Sequence, residues 1–240
     1  MLKALSLDYW DTLYDGSTLP ERVARRRGAI HRMLGDVGCA IGEAEFAELY
    51  AASGREAERW WREEHRGYGT ADRIRWILDR VGVERPADCE HVARAAAEVD
   101  ETLLAYPPPL LAGAAAAVRA LAEHFPLVIV SDTGFASGRA QDRLLERDGI
   151  ARHFVTRVYS CDVGHAKPHR APFERALRSL SLAPDELLHI GDIERTDVRG
   201  ALGAGCRAIR LDVVRKSGPS AAELVAESFE EVVEYLVERA

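Results

Sequence analysis

Lysine is nearly missing from this chain: 29 of its 32 basic residues are arginine, and only Lys3, Lys167 and Lys216 are lysine. A bias of that strength reflects genome composition, so a lysine kept inside a motif points to a need for a compact ammonium that a planar guanidinium cannot meet. Lys3 and Lys216 show that lysine also persists outside motifs. Cysteine is scarce as well. Cys39, Cys89, Cys161 and Cys206 are scattered, without a Cys-x-x-Cys pair or histidines at zinc spacing, which excludes a disulfide scaffold and a zinc ribbon and reads as reduced thiols. No long apolar run is present: the longest, Leu110 to Val118, spans nine residues and ends at Arg119, against roughly 20 needed to cross a bilayer. Excess positive charge is lacking too, since 32 basic and 39 acidic side chains leave a net charge of −7, so neither nucleic acid nor membrane is an expected partner. Met1 to Leu7 runs straight into Asp8 with no small-residue cleavage site, so a cytoplasmic address is expected.

What is present suits a globular protein of one large domain or two small ones: 47% of residues are apolar and 30% charged, enough to bury a real core. The segment Leu2 to Leu7 is short, apolar and stopped by an acid, as a buried parallel strand is. From about Thr18 to Tyr106 the apolar residues recur with helical period, for instance Ile74, Ile77, Leu78 and Val81, or Val92, Ala95, Ala96, Val99 and Leu103. Some four helices are predicted there, with Thr70/Asp72 and Pro86/Asp88 as starts and Gly67 to Gly69 and Gly82 as breaks. The run Pro107-Pro108-Pro109 marks a boundary. Beyond it strands and helices alternate: helix 113–124, strand 127–130, helix 137–147, strand 155–160, helix 171–180, strand 187–190, helix 197–204, strand 208–211, an edge strand near Leu224 and helix 230–238. The fold class expected is therefore α/β, a Rossmann-like doubly wound parallel sheet with an inserted all-helical domain. Residues 1–15 and 107–240 would form the core and residues 16–106 the insertion.

In such a sheet the ligand lies outside the carboxyl ends of the strands. Asp8 ends the first strand and Ser131-Asp132-Thr133-Gly134 the second. Gly164-His165-Ala166-Lys167-Pro168 follows the third, and Gly191-Asp192 ends the fourth, with Asp197 five residues on. This order, opening with Asp8-Tyr9-Trp10-Asp11-Thr12-Leu13, resembles the four motifs of the haloacid dehalogenase-like (HAD) superfamily across nearly the whole chain. The helical insertion resembles that superfamily's C1 cap. Four motifs in order make the resemblance specific where one alone would be weak.

The resemblance implies a phosphatase that passes through an aspartyl-phosphate. Asp8 would be the nucleophile, since a carboxylate attacking phosphorus splits one displacement into two easier ones. Ser131, with Asp132, Thr133 and the backbone of their loop, would bind the phosphoryl oxygens, and Thr12 would fix the geometry of the first loop. Lys167 would neutralise the nucleophile and the charge growing on the phosphoryl group. Three carboxylates facing one lysine call for a cation, and hard oxygen ligands beside a phosphate indicate Mg²⁺. Asp8, Asp192, Asp197 and the Trp10 carbonyl are the candidate ligands, with Asp197 acting through water or as a helix N-cap. The expected partner is a small phosphorylated metabolite.

One residue departs from the family pattern. Phosphatases of the superfamily carry a second aspartate two places after the nucleophile as general acid, and here that place holds Trp10. Asp11, one place later, is expected to point elsewhere. His65, His165 and His169 are weak substitutes, and His189, inside a strand, reads as a packed residue. Trp60, Trp61, Arg62, His65 and Tyr68 form an aromatic and basic cluster that could face substrate, although packing or a solvated helix face is the simpler reading. Trp10 keeps two alternatives open, a 2-haloacid dehalogenase, which needs neither metal nor that acid, and a binding protein that has lost turnover.

Overall fold

The computed structural model describes residues 1–17, 19–83, 89–216 and 218–237. Six strands, all parallel, form one sheet: β1 (Ala4–Leu7), β2 (Leu127–Ser131), β3 (Phe154–Tyr159), β4 (Leu187–Gly191), β5 (Arg207–Leu211) and β6 (Leu224–Ala226), in the order β3-β2-β1-β4-β5-β6. The chain winds outward in one direction from β1 to β3 and in the other from β4 to β6. The switch point thus falls between β1 and β4, where a crevice opens at the carboxyl ends. β1 lies at that centre and is buried along its length, which is why it reads as an unbroken apolar run and not as an alternation.

Among the described residues five helices intervene between β1 and β2, and the first four form a block: α1 (Pro20–Asp36), α2 (Glu43–Arg62), α3 (Thr70–Arg80) and α4 (Glu90–Ala105). α1 begins with Pro20, whose fixed φ suits the first helical position, and carries Glu21 near the positive end of the helix dipole. Ile30, Leu34, Phe46, Ile74, Ile77, Val92 and Val99 close this block around a core of its own. Each fully buried side chain of this kind contributes about 1.5–3 kcal/mol, and a charge at Ile77 would have no partner there. Pro86 and Asp88, expected to start α4, lie outside the described residues.

The remaining helices are α5 (Ala114–Ala122), α6 (Gly138–Arg147), α7 (Ser160–Val163), α8 (Arg170–Leu180), α9 (Arg199–Gly203) and α10 (Phe229–Val237). α5, α6 and α10 cover one face of the sheet, over Leu5, Leu7, Ile129, Leu188 and Ile209. α8 and α9 cover the other, over Ala4, Val128, Val130 and Ala208. Ser137 caps α6 by accepting a hydrogen bond from the Ala140 amide at 3.1 Å.

Two expectations need correction. The strand expected to reach Ser160 ends at Tyr159, and Ser160 opens α7. The single helix expected over 197–204 is a π-helical turn, Glu194–Val198, followed by α9. Asp197 therefore caps no helix. The widened turn brings its carboxylate back so that Oδ2 accepts from the Ile193 amide at 2.9 Å, and π-turns of this kind occur mostly at functional sites.

Candidate active site

The crevice at the switch point is a cleft of about 540 Å³ whose lining includes Asp8, Trp10, Asp11, Asp132, Lys167, Asp192 and Asp197. Lys167 stands at its centre, 2% exposed. Its ammonium donates to Asp8 Oδ1 at 2.5 Å and to Asp197 Oδ1 at 2.6 Å. Burial alone would lower its pKa, but Asp197, Asp8 and Asp132 overrule burial and keep it protonated. One of three lysines in the chain is thus the hub of the buried charges.

The four acids differ in their commitments. Asp197 is saturated: Oδ1 accepts from Lys167 and faces His189 Nε2 at 3.2 Å, while Oδ2 accepts from Ile193 N and from the Thr196 hydroxyl at 3.2 Å. Burial would raise its pKa, but Lys167 and then His189 hold it well below the usual carboxylate range. Gly191 makes this packing possible, because a Cβ there would lie 2.6 Å from the Asp197 Cβ. Asp132 is also committed, with Oδ1 accepting from the Lys167 amide at 3.0 Å and Oδ2 from the Trp61 indole at 2.8 Å. Burial pushes the pKa of Asp8 well up, against Lys167, with Asp197 and Asp192 adding to the rise.

Asp192 is different. It is 1% exposed, and neither carboxylate oxygen has a hydrogen-bond partner. Burial, followed by Asp197, pushes its pKa up to about 7. Arg215 approaches it, with Nη1 3.8 Å from Oδ2, beyond hydrogen-bond reach. Asp8, Asp192 and Asp197 each place one oxygen within 4.8 Å of the others. An orphaned buried carboxylate beside two more is a donor set that fits a hard divalent cation, whereas a buried anion without one is costly. Asp197 enters that set only with its lone pairs already used.

The other expected binding residues are placed less directly. The Ser131 hydroxyl donates to Gln141 Oε1 at 2.8 Å. Thr133 donates through its amide to Ser160 Oγ at 3.0 Å and through its hydroxyl to the Tyr68 carbonyl at 3.0 Å. The Thr12 hydroxyl is buried without a partner. Ser131 and Thr133 brace the loops through these bonds, the Thr12 hydroxyl makes none, and none of the three is among the lining residues. His189 is packed, as expected, but with a function in the packing, because Ser6 Oγ lies 2.9 Å from its Nδ1 and Asp197 faces its Nε2. His165 and His169 stack at 3.9 Å away from the cleft lining.

Asp11, expected to point differently from the family acid, adopts φ 56°, a left-handed conformation that aspartate tolerates better than most residues. It is among the residues lining the cleft. There it accepts from the Gly16 amide at 2.8 Å and pairs with Arg215. The cluster on α2 also departs from its simpler reading: Trp61, Arg62 and Tyr68 line the cleft, as does Arg66, whereas Trp60 is buried. The indole nitrogen and flanking arginines were the available signal. Arg215, in the loop after β5, carries none.

The helical block meets these loops directly. The Ala166 amide donates to the His65 carbonyl at 2.8 Å, and the Gly67 amide to the Gly164 carbonyl at 3.1 Å. Thr70 Oγ1 donates to the Phe135 carbonyl at 2.9 Å. A side chain at residue 67 is excluded, since its Cβ would fall 1.8 Å from the Ser160 carbonyl oxygen.

The chain matches the haloacid dehalogenase-like hydrolase family over residues 2–205, which takes in Asp8, Asp132, Lys167, Asp192 and Asp197. It belongs to that family. Over 225 residues it is 30% identical to a glyceraldehyde 3-phosphate phosphatase of Methanopyrus kandleri, covering 88% of this chain and 84% of that protein. A 64-residue stretch is 42% identical to a phosphoserine phosphatase of Thermus thermophilus, covering 27% of this chain and 26% of that protein. Among solved structures, a 2-haloacid dehalogenase from Pseudomonas syringae pv. Tomato DC3000 superposes over 100% of both chains with a TM-score of 0.70 and 22% identity. A HAD phosphatase from Thermococcus onnurineus superposes over 98% of both with a TM-score of 0.68 and 18% identity. These two share the fold. No helix among the described residues is long and apolar enough to cross a membrane.

Proposed function

We propose that the protein is a Mg²⁺-dependent phosphatase of a small phosphorylated metabolite, with residues 16–106 as its cap. The observation that carries this reading is Asp192, a buried carboxylate without a hydrogen bond, facing a nucleophile it would otherwise repel. Asp8, Asp192 and the Trp10 carbonyl would hold the ion directly, with Asp197 acting through Lys167. Magnesium, when bound, supplies positive charge to the phosphoryl oxygens and to Asp8. Asp8 attacks phosphorus as the bond to the leaving oxygen breaks, that oxygen departing as an anion or taking its proton from water, and water then attacks the acyl phosphate, releasing inorganic phosphate and a proton to solvent and returning Asp8 as a carboxylate. Lys167 fixes Asp8 through Oδ1 and offers its charge to the transferring group. The phosphatase names of the relatives support this reading.

The second reading, a 2-haloacid dehalogenase, is favoured by Trp10 alone. A panel of phosphorylated metabolites with Mg²⁺ and with EDTA, scored by phosphate release, runs beside 2-chloropropionate scored by halide release. EDTA-sensitive phosphate release is the expected result. Halide release that EDTA leaves intact would replace the phosphatase reading, and ligand binding without either product would mark a binding protein.

A further inference from the structure

Asp192 presents two buried carboxylate oxygens without a hydrogen-bond partner, and the cations that act most on it are Arg215 and then Lys167. Lys167 is already divided between Asp8 and Asp197. Arg215 is divided over a different pair of acids: Nη2 pairs with Asp11 Oδ2, and Nη1 lies 3.8 Å from Asp192 Oδ2. One guanidinium thus stands between the acid of the first loop and the acid that follows β4. All three side chains line the cleft, and that of Arg215 is 53% exposed.

The surroundings of that guanidinium are fixed on both sides. Asp11 Oδ1 accepts from the Gly16 amide at 2.8 Å, and a Cβ at residue 16 would lie 2.8 Å from the same oxygen, so Asp11 is held with Oδ2 toward Arg215. The loop that carries Arg215 is anchored at its two ends. Buried Arg210 donates to Asp212 through bonds of 2.7 and 3.0 Å and to the Gly218 carbonyl at 2.9 Å. Glu194, which opens the π-turn, accepts from the Ser220 hydroxyl at 2.6 Å and the Ala221 amide at 3.1 Å. The turn that presents Asp197 therefore also anchors the loop that presents Arg215. A half-exposed arginine on an anchored loop keeps the rotamer freedom to lean toward either acid.

We propose that Arg215 competes with the divalent cation for Asp192 and that Asp11 holds the arginine aside, so that this pair sets the cation affinity of the protein. This rests on the Mg²⁺-dependent reading above. A cation on Asp192 meets Arg215 as a like charge and must replace what the guanidinium gives that carboxylate. Asp11 then keeps a partner for the displaced arginine. A unit charge a few ångströms from a divalent ion changes its affinity by about tenfold even at the dielectric of water, and salt screens such an effect at an exposed side chain.

The test is the Kd for Mg²⁺ by isothermal titration calorimetry, without substrate, on wild type, R215Q, R215K, D11N, the D11N/R215Q double variant and D192N, with circular dichroism on each. At low ionic strength R215Q should bind Mg²⁺ about tenfold more tightly than wild type, and high salt should shrink that gain. R215K keeps the charge and should stay closer to wild type. D11N should weaken binding, because it frees Arg215 for Asp192, and should weaken it less when Arg215 is already glutamine. R215M serves as a second neutral variant if R215Q does not fold. Equal or weaker binding in the folded neutral variant, a gain that R215K shares in full, or a gain that salt leaves intact would overturn the competition. A D11N effect of the same size in both backgrounds would remove Asp11 as the holder of Arg215 and overturn the proposal in that form. Mg²⁺ that binds none of these proteins, or binds D192N as well as wild type, removes the cation site itself. Binding that D192N abolishes and R215Q leaves unchanged removes the competition alone.

Discussion

Replacing Lys167 with methionine removes the ammonium shared by Asp8 and Asp197 while keeping the length of the apolar stem. Lys167 is 2% exposed, and its two bonds are 2.5 and 2.6 Å long, so no water can take its place without rearrangement. Breaking a buried ion pair from one side costs about 3–5 kcal/mol, which for a 240-residue chain lowers Tm by roughly 6–20 °C. The loss depends on pH. In the wild type Lys167 holds the Asp197 pKa below its unfolded value, so Asp197 contributes stability above about pH 4, lost as pH falls through the folded value. Without Lys167, Asp197 joins Asp8 and Asp192 as an acid whose pKa burial raises. Acids of that kind favour the fold at low pH and penalise it as pH rises through the folded value, about 7 for Asp192. The gap in Tm between wild type and K167M should therefore widen from pH 5.5 to pH 8.5, measured by circular-dichroism melts in EDTA. A gap that is constant across this range, or absent at pH 8.5, would refute the picture of one ammonium restraining several buried acids. In the same variant kcat should fall by about 10²–10³.

Three further outcomes are expected. Asp8→Asn should abolish phosphate release while the protein still folds, as checked by circular dichroism, and activity above a few per cent of wild type, about what trace deamidation could leave, would remove Asp8 as nucleophile. Because Asp192 must be ionised to bind a cation and its pKa lies at about 7, saturating Mg²⁺ should raise Tm more at pH 8.5 than at pH 5.5. At a hundredfold excess over Kd the gain is about 2.7 kcal/mol, and an equal rise at both pH values, or one that persists in D192N, would count against the site. With Trp10 where the family acid stands, leaving groups of low pKa should be favoured, since general-acid help is typically worth ~10²–10⁴ in rate. Trp10→Asp should narrow the ratio of aryl to alkyl phosphate hydrolysis, and a wild-type enzyme with similar kcat/KM on both would reveal another acid.

The sheet is legible in the sequence because a parallel strand covered on both faces is an apolar run stopped by a polar residue, and Asp8 and Asp192 are such stops. That their side chains converge with Lys167 and Asp197 follows from the switch point between β1 and β4, a property of winding and not of spacing. The π-turn at Glu194–Val198 is not legible, because periodicity cannot distinguish one extra residue per turn from an ordinary helix start, and Asp after a strand suggests a cap. The place of Asp11 in the cleft lining is not legible either, because its left-handed φ cannot be read from the sequence. Arg215 belongs to a loop after β5 whose approach to Asp11 depends on the whole sheet. The burial of Arg22, Arg26 and Arg73 is hidden too, since an arginine on a helix reads as solvated until its neighbours are placed.

The bonds that join the helical block to the loops around Lys167 draw mostly on main-chain atoms of the block: the carbonyls of His65 and Tyr68 and the amide of Gly67. Main-chain atoms are the same whatever side chain is attached. Fastening and chemical selection are thereby carried largely by different parts of one segment: the Trp61 indole serves both through its bond to Asp132, whereas substitutions at Arg62 or Arg66 can change what enters the cleft without loosening the joint. Gly67 is the exception, pressed against the Ser160 carbonyl. A lineage built on this scaffold could diversify its ligands by ordinary point substitution around a single immovable glycine.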